Sequence, residues 1–365
     1  MRGTTKQQTT MFSLRTPGDR VAQDHPLRRI KEWADVALGV MSPTFEKMYS
    51  HLGRPSIPPE VLLKSTLLMA FFTIRSERLF CEMLDYNLLF RWFLDMDIEE
   101  RSFDHSTFSL NRERVLRLDV AQQFFRVVTM QAGEAGLLSS EHFSVDGSLI
   151  DAWASLKSFK KKEGDEKEPP PPPPDDKGNP SVDFHNEKRS NTTHESTTDP
   201  EAKLAKKGDG KEAKLSYCLN GLIENRNGLL VNLAVMPANG HAERDAALMM
   251  FEQSIPKGRK ATAGGDKGFD TKDFVTEARE LGVTPHVAQN INARRGSAID
   301  GRTTRHEGYE VSQRFRKRIE EVWGWMKTVG GFRKTRFKGQ DRTEAAAFMV
   351  GAMYNLVRMA NLVEA

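Results

Sequence analysis

At 365 residues, with 38% hydrophobic and 28% charged side chains, the chain is long enough for two or three domains around a sizeable core and has the balance of a soluble protein. Its net charge of +4 and pI near 8.9 make too small an excess to name a partner as a total, so the distribution of charge matters more. Two distant cysteines, Cys81 and Cys218, exclude a disulfide framework and a zinc-site spacing, and read as reduced core residues.

The amino terminus, MRGTTKQQTTMF, lacks the apolar core of a secretory leader, so a cytoplasmic location is expected. No run reaches bilayer length, since VLLKSTLLMAFF is short and broken by Lys64. Residues 1–25 are polar and patternless and predict a disordered arm. From 26 to 136 the pattern is helical: Leu27, Ile30, Trp33, Ala34 and Leu38 recur at helical spacing, and Ser56-Ile57-Pro58-Pro59-Glu60 reads as a helix start. Asp104-His105-Ser106-Thr107 caps a further helix carrying Arg112, Arg114 and Arg117. Such a helix suits presentation to DNA, and an all-helical packing or dimerisation domain fits the same residues.

The stretch Glu141–Ser155, EHFSVDGSLIDAWAS, predicts a short buried strand ending in a turn at Asp146-Gly147, with the carboxylate at the strand's mouth. Residues 158–214 are charged, polar and proline-rich, including a run at Pro169–Pro174, and predict a disordered or extended insertion. Order returns at Leu215, with a strand to Ile223, a turn over Glu224–Gly228 and a second strand over Leu229–Met236. Asn239-Gly240-His241 leads into a helix from Ala242 to Gln253, and His241 is a weak candidate for assisting a site. A short strand then ends at Asp266, Thr271 opens a helix, and Val283–Val287 forms another strand.

In YEVSQRFRKRIEEVWGWMKTVGGFRK, Ile319, Val322, Trp323 and Met326 make an apolar helical stripe. At 100° per residue, Glu320, Arg316 and Lys327 border that stripe while Glu321 falls opposite it. Basic residues including Arg333, Lys334 and Arg336 crowd the region from Arg302 to Arg342, with Phe315, Trp323, Trp325, Phe332 and Phe337 between them. The pattern fits a nucleic-acid surface, or a solvated helix face followed by a basic loop.

Two acids at strand ends and one on a late helix come together if the strands share a sheet, since ligands gather where strands end. Three converging carboxylates repel one another, and divalent cations remove that cost. Mg²⁺ takes oxygen ligands and is held by one or two carboxylates plus phosphates, and a pair of such ions serves in-line displacement at phosphorus. Asp151 and Asp270 lie close by in sequence and are candidate assisting or substitute ligands.

VDGSLIDAWAS, STTDPEA at Ser196–Ala202, GHAERDAAL, GGDKGFDTKDF and RKRIEEVWGWMKT resemble the DDE transposases of bacterial insertion sequences, and more narrowly the insertion sequence five family. GRPSIPPEVLLKSTLLMAFFTIRSERLFCEMLDYNLLFRWF resembles the amino-terminal domain of that family. The resemblance implies an α/β fold: a ribonuclease-H-like mixed sheet flanked by helices, preceded by an all-helical domain. The catalytic domain would comprise residues 137–157 and 215–340, with 341–365 a helix packed on it. Asp146, Asp266 and Glu320 would be the catalytic acids and the ligands of two Mg²⁺ ions, with Mn²⁺ able to substitute. Arg316, Lys327, Lys267, Arg333, Lys334 and Arg336 would contact DNA, and the partners would be terminal inverted repeats, target DNA and a second copy of the chain. Arg316, Glu320 and Lys327 match the carboxy-terminal signature in spacing, but Gln313 stands where its tyrosine is expected and Tyr309 sits in another register. The implied activity is metal-dependent cleavage and strand transfer. A nuclease of the same fold that cuts without joining, and a catalytically inactive DNA-binding derivative, are the rival readings.

Overall fold

The computed structural model describes residues 16–50, 52, 56–162, 181–184, 187–208, 210–291 and 296–364. Six helices come first: α1 (Leu27–Met48), α2 (Pro59–Phe71), α3 (Glu77–Tyr86), α4 (Leu88–Phe93), α5 (His105–Val115) and α6 (Leu118–Glu134). The apolar spacing read along α1 becomes its buried face, from Leu27 and Ile30 through Ala34 to Phe45. Asp104 caps α5 by accepting from the amides of Ser106 and Thr107. Lys64 is buried in α2, where Asp35 at 2.8 Å and Asp95 at 2.5 Å neutralise it, and Lys31 completes the cluster.

The sheet begins with β1 (His142–Asp151), and four short strands follow: β2 (Phe159–Lys161), β3 (Ser181–Phe184), β4 (Glu187–Ser190) and β5 (His194–Ser196). After β6 (Lys203–Ala205) come β7 (Lys214–Glu224), β8 (Leu230–Pro237), α7 (Ala242–Ser254), β9 (Ala261–Gly265), α8 (Lys272–Glu280) and β10 (Val283–Val287). The chain closes with α9 (Gly301–Thr304), α10 (Glu307–Phe315), α11 (Arg318–Thr328) and α12 (Gln340–Glu364). In the main sheet β8 pairs antiparallel with β7 and β7 with β1, while β9 runs parallel to β1 and β10 parallel to β9. This is the ribonuclease-H-like mixed sheet, with β6 added on the outer end of β7. The β7–β8 hairpin turns where expected: the buried Glu224 carboxylate accepts from the amides of Arg226, Asn227 and Leu229, and Gly228 takes a φ of 72°.

One apolar cluster joins α1–α6, α11, α12 and one side of the sheet; a second joins α7, α8 and the other side. The helical unit and the sheet unit therefore share a core through α12, which packs on α6, β8, α1 and α2. By length and composition α12 could span a bilayer, contrary to the expectation of no such run, but 67% of its apolar window is buried inside the protein. It is a core helix.

Two further expectations are corrected. Residues 1–15 of the predicted arm lie outside the described residues, but Pro17–Arg20 form a 3₁₀ turn. Arg28 fixes that turn by donating to the carbonyls of Gly18, Val21 and Ala22. In the polar insertion, residues 163–180 lie outside the described residues, yet its last part is folded onto the sheet. Ser196, Asp199, Ala202 and Leu204 are buried there, and the Tyr217 hydroxyl donates to Asp199 at 2.7 Å. A few buried side chains and the Tyr217–Asp199 hydrogen bond order this segment, which lacks the apolar periodicity of the other elements.

Candidate active site

Asp146 does not end a strand, as the Asp-Gly pair suggested. It lies in the middle of β1, opposite Gly221 on β7. The parallel ladder on the other edge stops earlier, its last pair being Ser144 with Gly264. Two residues further along each chain stand Asp146 and Asp266, so the register sets them side by side where β9 gives out. The strand-end rule holds for the parallel partner and fails for β1 itself.

The Asp146 carboxylate is held from above by α11. Trp323 Nε1 donates to Asp146 Oδ2 at 3.1 Å. Gly221 makes room for the ring: a Cβ there would lie 2.7 Å from Trp323 Cη2. Burial pushes the Asp146 carboxyl up to about 6; the indole hydrogen bond opposes the rise, and the charges of Asp266 and Glu320 add to it. Of the adjacent glutamates, the charge of Glu320 acts on Asp146, whereas that of Glu321 acts on Tyr354. Glu320 is exposed.

Asp266 follows β9 directly and accepts from Gly268 N at 2.7 Å, which tightens the turn holding the exposed Lys267. Asp270 is buried and accepts from the amides of Asn290 at 2.6 Å and Ala298 at 2.9 Å. It braces a loop. Asp151 faces Lys214 at 3.5 Å, with its backbone bridged to Lys334.

The apolar stripe of Ile319, Val322, Trp323 and Met326 is buried, but the helix that bears it starts only at Arg318. Arg316 and Lys317 separate α10 from α11, so Arg316 does not continue the face of Glu320. Its Nε donates to Gln313 Oε1 at 3.1 Å, and the Gln313 amide donates to the His286 carbonyl. Tyr309 donates to the Val287 carbonyl at 2.9 Å. Gln313 and Tyr309 together anchor α10 on β10.

Lys327 donates to Ser148 Oγ at 2.6 Å and to the Leu149 carbonyl at 2.8 Å. Two of its three N–H groups thus hold β1 beside Asp146. Burial lowers its pKa, helped by Lys207 and Arg333. Past the end of β1, Arg333, Lys334 and Arg336 are exposed. Lys334 sits 5.8 Å from the ring of Trp153, and Arg336 donates to the Arg75 carbonyl. Of the arginines expected on α5, Arg114 is exposed and Arg112 is turned inward to Glu77, 5.8 Å from the Phe108 ring, whereas Arg117 lies beyond the end of α5, exposed at the start of α6. His241 is bonded to Arg244 at 2.8 Å and serves the start of α7.

One acid was not singled out by its sequence. Glu243, in the first turn of α7, is partly buried beside Gly147. Burial pushes its carboxyl up to about 7, and Asp146 and Asp266 add to the rise. The only signal was its place in the GHAERDAAL segment, where Asp245 is an equal candidate by composition.

The donors are all carboxylate oxygens, which suits hard divalent cations, and a cation would relieve the repulsion on Asp146. Among the described residues no three His, Cys, Asp or Glu side chains gather tightly enough to ligate one ion. A metal ion here would be held by one or two carboxylates, with water or phosphate oxygens completing its shell.

The sheet order and the acids at the β1–β9 junction define a ribonuclease-H-like protein. A family described as "Transposase domain (DUF772)" matches residues 15–114, and one described as "Transposase DDE domain" matches residues 188–356. The chain carries a transposase DDE domain, preceded by a second domain of transposases. Asp266 and Glu320 fall inside the second match, and Asp146 lies between the two.

Among solved structures, the chain is similar to the piggyBac transposase in a synaptic complex with hairpin DNA, at 10% identity and a TM-score of 0.42. That likeness covers 93% of this chain and 76% of the other. It is also similar to the Mos1 pre-cleavage transpososome (8% identity, TM-score 0.21) and to the Mos1 paired-end complex with left transposon end (9%, 0.20). Each covers 86% of this chain and 82% of the other. No curated protein matches the chain in sequence.

Proposed function

We propose that this chain is a transposase of the insertion sequence five family, binds the terminal inverted repeats of its element, and cleaves and joins DNA with Asp146, Asp266 and Glu320. The observation that carries the reading is the register of β1 and β9, which sets Asp146 beside Asp266 under the α11 helix bearing Glu320. The three carboxylates would hold two Mg²⁺ ions, or Mn²⁺ in their place. When bound, such ions activate an attacking oxygen and stabilise the leaving one at phosphorus. Trp323 keeps the Asp146 carboxylate oriented, and Lys327 fixes β1 at Ser148 and Leu149. Lys267, Arg316 and the remaining N–H of Lys327 would position phosphates at the acids. Arg333, Lys334 and Arg336 would carry the duplex onward, and Arg114 of α5 with Arg117 just past it would take part in end binding. Pairing two ends calls for a homodimer or larger assembly, acting in the cytoplasm on the nucleoid.

The test supplies the full-length protein with a pre-cleaved transposon end, a target duplex and Mg²⁺. Joined products are expected. Cleavage of uncut ends without joining would favour a nuclease of this fold, and binding with neither reaction would favour an inactive derivative.

A further inference from the structure

The β1–β9 ladder ends at Ser144, whereas β1 continues to Asp151, so beside Asp146 the two sides of the sheet are no longer separated by a paired strand. Side chains alternate along β1. Asp146 and its partner Gly221 lie on the side covered by Trp323 of α11; Gly147 and its partner Asn220 lie on the side covered by α7. A Cβ on Gly147 would fall 2.5 Å from Glu243 Cγ and 2.6 Å from Glu243 Oε1. The Glu243 carboxylate thus rests against the bare backbone one residue from Asp146. That is possible only because Gly147 has no side chain.

Its position is fixed from the next residue. Arg244 donates to the carbonyls of Gly268 at 3.3 Å and Gly240 at 3.2 Å, tying the first turn of α7 to the loop that follows Asp266. The Glu243 carboxylate is partly buried, and among the described residues no hydrogen bond or ion pair involves it. The neighbouring Arg244 charge favours this carboxylate, but burial and the charges of Asp146 and Asp266 outweigh it, a balance that a divalent cation would reverse.

We propose that Glu243 is a fourth carboxylate of this centre, reaching it from the opposite side of the sheet from Glu320 to hold one of the divalent ions. The inference rests on the reading of the site as metal-dependent. It assigns the acid on α7 a role that the three-acid pattern leaves out, and explains why a glycine follows Asp146 within a continuous strand.

The test measures Mn²⁺ binding by calorimetry, and melting temperature in chelator, on full-length wild type, Glu243→Gln, Asp146→Asn and Glu321→Gln. Wild type and Glu321→Gln should bind alike, while Glu243→Gln and Asp146→Asn lose at least tenfold in affinity. In chelator, Glu243→Gln should melt no lower than wild type, because it removes an uncompensated charge. Wild-type affinity in Glu243→Gln, with loss confined to Asp146→Asn, would overturn the assignment and leave the metal-dependent reading standing. A lowered melting temperature for Glu243→Gln in chelator would show a structural role and overturn it too. Absence of Mn²⁺ binding by wild type would overturn both readings.

Discussion

Trp323 Nε1 lies 3.1 Å from Asp146 Oδ2, so a residue of the late helix α11 orients an acid in the middle of β1. The two are 177 positions apart in the chain. Their hydrogen bond connects the helix of Glu320 to the strand of the first acid, and Gly221 creates the space that lets the indole reach it.

Trp323→Phe keeps most of the ring and removes the donor. The lost bond favours the charged carboxylate, so the pKa governing cleavage should move upward and the rate at neutral pH should fall roughly tenfold. A pH–rate profile for end cleavage checks this. A profile matching wild type would mean the indole does not tune Asp146.

Gly221→Ala places a methyl against Trp323 Cη2, at a site where the backbone of β7 is paired on both edges. Overpacking there should cost about 1–3 kcal/mol in stability and displace the indole from Asp146. Denaturant unfolding, paired with near-ultraviolet circular dichroism, measures both effects. Wild-type stability with an unchanged tryptophan signal would contradict the packing described.

The two raised acids give the metal-free protein a pH dependence of definite sign. Asp146 rises from an ordinary 3.8 to about 6 and Glu243 from 4.5 to about 7, so the folded state holds their protons more tightly. Their contribution to stability is therefore fully present below about pH 4 and is lost as pH rises through 6 to 7. Between pH 5 and 7.5 in chelator, wild type should lose about 4 kcal/mol more than the Asp146→Asn, Glu243→Gln double variant. Equal losses in the two proteins, followed by calorimetry or denaturant titration, would exclude strain at these acids.

Arg333, Lys334 and Arg336 are exposed along the segment between α11 and α12, which runs beside the end of β1 at Asp151. If each meets a phosphate, replacing all three by alanine should flatten the dependence of log affinity on log salt by roughly 0.9 for every phosphate left without its cation. Fluorescence anisotropy with transposon-end duplexes at several salt concentrations reads the slope. An unchanged slope would remove this segment from the DNA interface.

Much of the architecture was legible because burial imposes period. The β7–β8 hairpin, α7, β9, α8 and β10 follow from alternation, turn residues and caps such as Thr271, which accepts from Phe274 N. The stripe Ile319, Val322, Trp323 and Met326 likewise foretold which side of α11 is buried. What local pattern misses is set by pairing at a distance. Asp146-Gly147 has the composition of a turn, but β7 pairs along the whole of β1 and overrides it, and the glycine serves Glu243 instead. The folded part of the insertion escaped notice because its order comes from the buried Asp199–Tyr217 hydrogen bond rather than from apolar periodicity. Glu243 was invisible for the same reason: nothing in α7 itself says that its first turn faces the gap beside β9.

The most direct measurement is metal-dependent cleavage of a transposon end by Asp146→Asn, Asp266→Asn, Glu320→Gln and Glu321→Gln, with end binding measured on the same preparations. The first three should lose at least 10³-fold in cleavage rate, a barrier increase of about 4 kcal/mol, while still binding the end, and Glu321→Gln should cleave normally. Undiminished cleavage by any of the first three would contradict the catalytic site described.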